Sequence, residues 1–138
     1  MKTILVLEDE PLLMKLMGTV LGRRGYHILE AACANDAFQQ FLANGRQIDL
    51  LIADVSLGAD SGIQVALRLR SEQPDLPVVL TSGYPPNVWS RQDCELLLRI
   101  GVDSVSILLK PFPSRILLNT TVGLIGQSGS DARSAGAG

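Results

Sequence analysis

The chain has 138 residues, 46% of them hydrophobic, with a net charge of -2. That length fits one domain with a real core, and the slightly acidic balance argues against sequence-independent nucleic-acid binding, which needs a basic surface for phosphate contacts. No apolar stretch approaches the roughly 20 residues of a membrane span, and the N-terminus opens on a strand pattern rather than a signal-peptide layout.

Ile4-Leu5-Val6-Leu7 reads as a first strand running into Glu8-Asp9. Pro11 suits a first helical position, where its missing N–H would be unpaired anyway. Leu12, Leu13, Leu16, Met17, Val20 and Leu21 repeat behind it at helical spacing, with Gly22 and Gly25 as stops. Tyr26 to Ala31 is a short second strand that contains His27, the only histidine, for which a structural role is expected. Asn35 is expected to cap a second helix with Phe38, Phe41 and Leu42 on its inner face, closed by Asn44-Gly45. Leu50 to Ala53 is apolar on both faces, as a central parallel strand requires, and ends at Asp54.

Ser61 and Gln64 have capping-box spacing for a third helix carrying Ile63, Ala66, Leu67 and Arg70 and ending before Pro74. Pro77 to Thr81 predicts a fourth strand, followed by Ser82. Ser90 with Asp93 resembles a second capping box, opening a helix that Gly101 ends. Its Leu96-Leu97-Leu98 run cannot all lie on one narrow face; a wide buried stripe is the plain expectation, and exposure of at least one leucine for dimerisation or partner binding the sharper alternative. Val105 to Leu109 predicts a fifth strand that runs into Lys110, and Pro113 a last helix through Ile125, weakened by Thr120, Thr121 and Gly123. From Gln127 onward the Ser, Gly and Ala composition cannot bury a core, so residues 1–126 form the expected domain and 127–138 a disordered tail or linker. Cys33 and Cys94 are too far apart in sequence, and too few, for a zinc site or disulfide framework; both are read as reduced in a cytoplasmic protein.

This alternation of strand and helix, repeated five times, implies an α/β fold with a parallel sheet covered on both faces. Ligands of such sheets bind outside the carboxyl ends of the strands, at a switch point in strand order. Glu8, Asp9, Asp54, Ser82 and Lys110 all fall at that edge. Clustered carboxylates repel unless a cation compensates, and Mg2+ takes oxygen ligands from one or two carboxylates, water and phosphate. A carboxylate can itself attack phosphorus. Asp54 is the candidate nucleophile because it ends the most buried strand; Glu8 and Asp9 would hold the metal, Asp9 more directly. Lys110 would cover one phosphoryl oxygen, and a hydroxyl from Ser82 or Thr81 another.

The segments LVLEDEP at 5–11, LLIADVSLGADSG at 50–62, LPVVLTSGYP at 76–85 and LLKPF at 108–112 closely resemble the receiver domain of two-component response regulators. The resemblance spans roughly residues 2–126. It implies a flavodoxin-like, doubly wound (βα)5 fold with a five-stranded parallel sheet in the order 2-1-3-4-5. It implies Asp54 as the phosphoacceptor, taking its phosphoryl group from a histidine kinase or phosphotransfer protein with Mg2+. Glu8, Asp9, Asp54 and the backbone carbonyl of Ser56 would supply the metal's protein ligands, and Lys110 and the hydroxyl would sense the phosphoryl group. Counting from Pro77, the hydroxyl position falls on Ser82, with Thr81 the runner-up. The Lys110–Pro111 bond is expected to be cis. No enzyme activity is expected beyond the chain's own aspartyl phosphorylation and dephosphorylation. The responding surface would be helix four, strand five and helix five, a candidate homodimer surface, and helix one the kinase-docking side, with Met14 and Met17 as adaptable contacts.

Three departures bear on output. Ile107 stands where the resembled family carries an aromatic residue, Gly58 replaces a common proline, and the stretch from Ser82 to Lys110 is several residues longer than usual. Ile107 and the long loop keep open a receiver-like interaction module that no longer switches, against which the intact acidic pocket argues. A phosphatase of the aspartyl-phosphate type would want an acidic residue two positions after Asp54, where this chain has Ser56.

Overall fold

The computed structural model describes residues 1–127. The tail expected from Gln127 lies outside the described residues except for Gln127 itself. Five parallel strands, β1 (Thr3–Leu7), β2 (His27–Ala31), β3 (Leu50–Asp54), β4 (Val78–Ser82) and β5 (Ser106–Leu109), form one sheet. Their order is β2-β1-β3-β4-β5, as expected. Between them run α1 (Pro11–Gly22), α2 (Ala34–Ala43), α3 (Gly62–Arg70), α4 (Arg91–Ile100) and, after β5, α5 (Ser114–Ile125). Ser56–Leu57 and Asp60–Ser61 add a small antiparallel hairpin between β3 and α3, turning at Gly58, whose φ is +66°.

Alternation along the strands divides the core in two. Leu5, Leu7, Leu51, Ala53, Val78 and Leu80 face Phe41 of α2, Ile63 and Ala66 of α3, and Leu96 and Leu97 of α4. Ile4, Val6, Leu50, Ile52 and Val79 face Met14, Met17 and Leu21 of α1 and Leu117 of α5. β3 is buried along its whole length, so each of its Leu and Ile side chains contributes roughly 1.5–3 kcal/mol by leaving water. β1 lies between β2 and β3, and chain order reverses there. The switch point therefore falls between the ends of β1 and β3.

Helix boundaries follow local chemistry, with corrections. Pro11 is the first residue of α1, and the Glu10 side chain accepts from the N–H groups of Leu12 and Leu13 at 3.2 and 2.7 Å. α2 is capped at Cys33, not Asn35, and no side chain bonds its cap. Asp36 in its first turn instead accepts from the Ala32 N–H at 3.4 Å, so acidic compensation of the helix end replaces the expected Asn cap. Ser61 caps α3 through the Ile63 N–H at 3.1 Å, one residue earlier than the Gln64 pairing implied. Ser90 caps α4 through the Asp93 N–H at 3.1 Å, as expected. Pro113 is the cap residue preceding α5 rather than its first residue. The far end of α5 is tied down where the Tyr26 hydroxyl donates to the Gly126 carbonyl and Lys2 Nζ to the Ile125 carbonyl.

Among the described residues, no helix is long and apolar enough to cross a membrane.

Candidate functional site

Each polar strand end is carried to the same edge by register. Leu7 is paired with Ala53, and Asp54 with Thr81. Glu8 and Asp9 therefore follow β1 beside Asp54, and Lys110 follows β5 two strands away, with its N–H donating to the Ser82 carbonyl at 2.8 Å. The Lys110 side chain reaches back across the edge. Its Nζ lies 2.9 Å from Glu8 Oε1 and 3.0 Å from Asp54 Oδ2. The other Glu8 oxygen accepts from the Glu10 N–H at 3.0 Å, and Asp54 Oδ1 from the Ser56 N–H at 3.1 Å. Glu8 and Asp54 are buried, while Asp9 is exposed at the mouth.

The carboxylates crowd one another. One ligand oxygen each from Glu8, Asp9 and Asp54 lies within 4.8 Å of the others. Burial pushes the Glu8 carboxyl above its ordinary range, and the Asp54 charge adds to this against the pull of Lys110 and the Glu10 N–H. Burial alone would lower Lys110, but Glu8 and Asp54 outweigh it and raise its pKa, so the ammonium stays charged. Three carboxylates face this one ammonium, leaving a charge deficit that suits a divalent cation bound through oxygen. Glu10 is not part of that set, because its side chain is committed to capping α1.

The sequence-derived residues thus divide. Glu8, Asp9, Asp54 and Lys110 come together. Ser56 opens the hairpin and fixes Asp54 through its N–H. The Lys110–Pro111 bond is cis. Neither candidate hydroxyl bonds Asp54. Thr81 buries its Oγ1 without a hydrogen-bond partner among the described residues. The Ser82 hydroxyl is engaged by the loop after β4, with Tyr84 and Trp89.

Two residues were missed by sequence reasoning. A Cβ on Gly62 would lie 2.1 Å from the Asp54 carbonyl oxygen, so only glycine lets α3 start against the end of β3. Its place at the end of the 50–62 segment was the available signal. Trp89 gave none beyond being the single tryptophan of a long loop.

Residues 4–121 match the family described as response regulator receiver domain. The chain is 32% identical over 111 residues to "Response regulator GtcR" of Aneurinibacillus migulanus, a match covering 80% of this chain and 42% of that protein. It is 37% identical over 81 residues to "Probable transcriptional regulatory protein TcrX" of Mycobacterium tuberculosis, covering 59% of this chain and 34% of that one. The matches therefore span less than half the length of these two relatives. Response regulator TrrA of Thermotoga maritima, solved in complex with Mg2+ and BeF, superposes with a TM-score of 0.72 at 27% identity, covering 90% of this chain and 99% of that one.

Proposed function

The chain belongs to the response regulator receiver domains of two-component signalling, and we propose that it accepts a phosphoryl group on Asp54 from the phosphohistidine of a histidine kinase or phosphotransfer protein. The observation that carries this reading is the Glu8–Lys110–Asp54 cluster with Asp9 at its mouth. An Asp54 oxygen forms the new O–P bond as the P–N bond to the donor imidazole breaks, and the departing nitrogen keeps the electron pair. Attack by the Asp54 carboxylate, held against Lys110 Nζ, releases no proton and so calls for no general base.

Glu8, Asp9, Asp54 and the Ser56 carbonyl would hold Mg2+, which supplies positive charge to the phosphoryl oxygens when bound. Lys110, already on Asp54, stands where it can neutralise a further oxygen. Ser82 is the sensing hydroxyl, since it is the last residue of β4 with its hydroxyl turned to the loop that follows, whereas the Thr81 hydroxyl is buried. The folded unit is residues 1–126, working in the cytoplasm.

The donor would dock against α1 beside Asp9. Met17 is buried and is not a contact; Met14 is largely buried, and Leu12 and Leu16 are exposed. A hollow of about 600 Å3 beside α1 is lined in part by Asp9, Met14, Lys15 and Glu30.

Intact-mass analysis after incubation with Mg2+ and a small phosphodonor tests the reading. The expected result is a base-labile gain of one phosphoryl group that is lost in Asp54→Asn and without Mg2+. A wild type that binds Mg2+ but never gains mass would favour an interaction module that no longer switches.

A further inference from the structure

The Ser82 hydroxyl has no capacity to spare. It donates to the Tyr84 carbonyl at 2.8 Å and accepts from the Tyr84 N–H at 3.1 Å and the Trp89 indole N–H at 3.1 Å. A serine hydroxyl offers one donor and two acceptor sites, and all three are used. Ser82 cannot donate to a phosphoryl oxygen on Asp54 without giving up the Tyr84 carbonyl.

Trp89 closes this arrangement from the far end of the loop. Its indole N–H is shared with the Tyr84 carbonyl at 2.8 Å. Its ring is half-buried against the core cluster that contains Leu80, Leu96 and Leu97, on which Ile107 also packs. Ile107 has no hydrogen-bonding group and cannot bond Ser82, whereas the Trp89 indole N–H donates to the Ser82 oxygen directly. The next residue, Ser90, caps α4, and the Cys94 thiol in the first turn of that helix lies 3.5 Å from the Pro86 carbonyl. A loop that lets go of Ser82 therefore disturbs the start of α4.

We infer that Trp89 is a latch, a positioning residue that holds the Ser82 oxygen in the β4–α4 loop and so favours the Ser82 bond to the Tyr84 carbonyl that must break before Ser82 donates to a phosphoryl group. This rests on the reading of Asp54 as phosphoacceptor. The latch sets a threshold on switching: Mg2+ and the phosphoryl group must outbid the loop for one hydroxyl. It also couples capture of that hydroxyl to α4.

Trp89 is the only tryptophan, so a 1H–15N spectrum of the chain holds a single indole resonance. Mg2+ with beryllofluoride is the probe for the phosphorylated state. At saturation the indole resonance is expected to shift and its exchange with solvent to quicken. Trp89→Phe keeps a ring but removes the N–H. It should bind beryllofluoride roughly two- to tenfold tighter, the range of one net hydrogen bond. The gain should vanish when Ser82 is already alanine, a coupling that simple loss of packing would not produce. A shifted Ser56 amide with an unmoved indole would overturn the latch, as would an equal gain in both Ser82 backgrounds. A Ser56 amide that does not shift means that the probe has not bound, and the Asp54 reading falls and takes the latch with it. Should Trp89→Phe not fold, the wild-type indole resonance decides alone.

Discussion

At the scale of single residues, the site stores electrostatic cost in Glu8. Its carboxyl is buried beside Asp54 and its pKa is raised, first by burial. A group with a raised folded pKa gives stability that is present at low pH and lost as pH rises through that pKa. Ionised Glu8 is therefore a burden on the metal-free fold at neutral pH. Glu8→Gln should raise Tm in Mg2+-free buffer at neutral pH, by about 1 kcal/mol or roughly 4 °C. Thermal unfolding across pH should show the advantage shrinking toward acid, where wild-type Glu8 is protonated too. Mg2+ should reverse the order, because only the wild type keeps the ligand, and its Mg2+ affinity should fall on acidification. A Gln variant less stable than wild type at neutral pH without Mg2+ would show that the Lys110 ion pair outweighs the burial.

At the scale of elements, the site depends on how α3 meets β3. The Gly62 N–H donates to the Val55 carbonyl at 3.2 Å, and its missing Cβ leaves space for the Asp54 backbone. Gly62→Ala pushes backbone against backbone, with no flexible side chain to yield. The expected loss is about 3 kcal/mol, the upper part of the range for overpacking, read as a lower urea midpoint together with weaker Mg2+ binding. An unchanged midpoint and affinity would mean that the hairpin at 56–61 absorbs the shift. The same junction explains why element patterns were more legible in the sequence than their joints. Apolar runs and helical spacing report burial, which the sheet imposes on whole segments. The cap of α2 at Cys33 has no side-chain bond to advertise it, and the Asn35 signal ahead of Phe38 was stronger than the true start.

At the scale of the whole molecule, parallel register gathers charged residues from three strand ends, of which only Glu8 and Asp9 are neighbours in sequence. Glu8, Asp9, Asp54 and Lys110 were legible because each ends an apolar run, and one sheet edge must collect them. For the hydroxyl, counting from Pro77 points to Ser82, but no sequence pattern reveals that the Trp89 indole holds it. The leucine run shows the same limit: a wide buried stripe is the plain expectation, yet Leu98 is 75% exposed beside the buried Leu96 and Leu97. Leu98 on α4 and Leu109 on β5, the latter 47% exposed, lie on the surface proposed for self-association. Leu98→Arg should change stability by less than about 0.5 kcal/mol, while abolishing any phosphorylation-dependent self-association seen by sedimentation. Association that survives the substitution would move the contact elsewhere.

The identity of the carboxylate that accepts the phosphoryl group is the central point. An aspartyl phosphate is reduced by borohydride to homoserine, so phosphorylation with Mg2+ and a small donor, borohydride treatment and peptide sequencing by mass spectrometry mark the acceptor directly. The cluster described here predicts homoserine at position 54 and nowhere else. Homoserine at Asp9 or at another carboxylate, or at no position in protein that has gained a phosphoryl group, would contradict it.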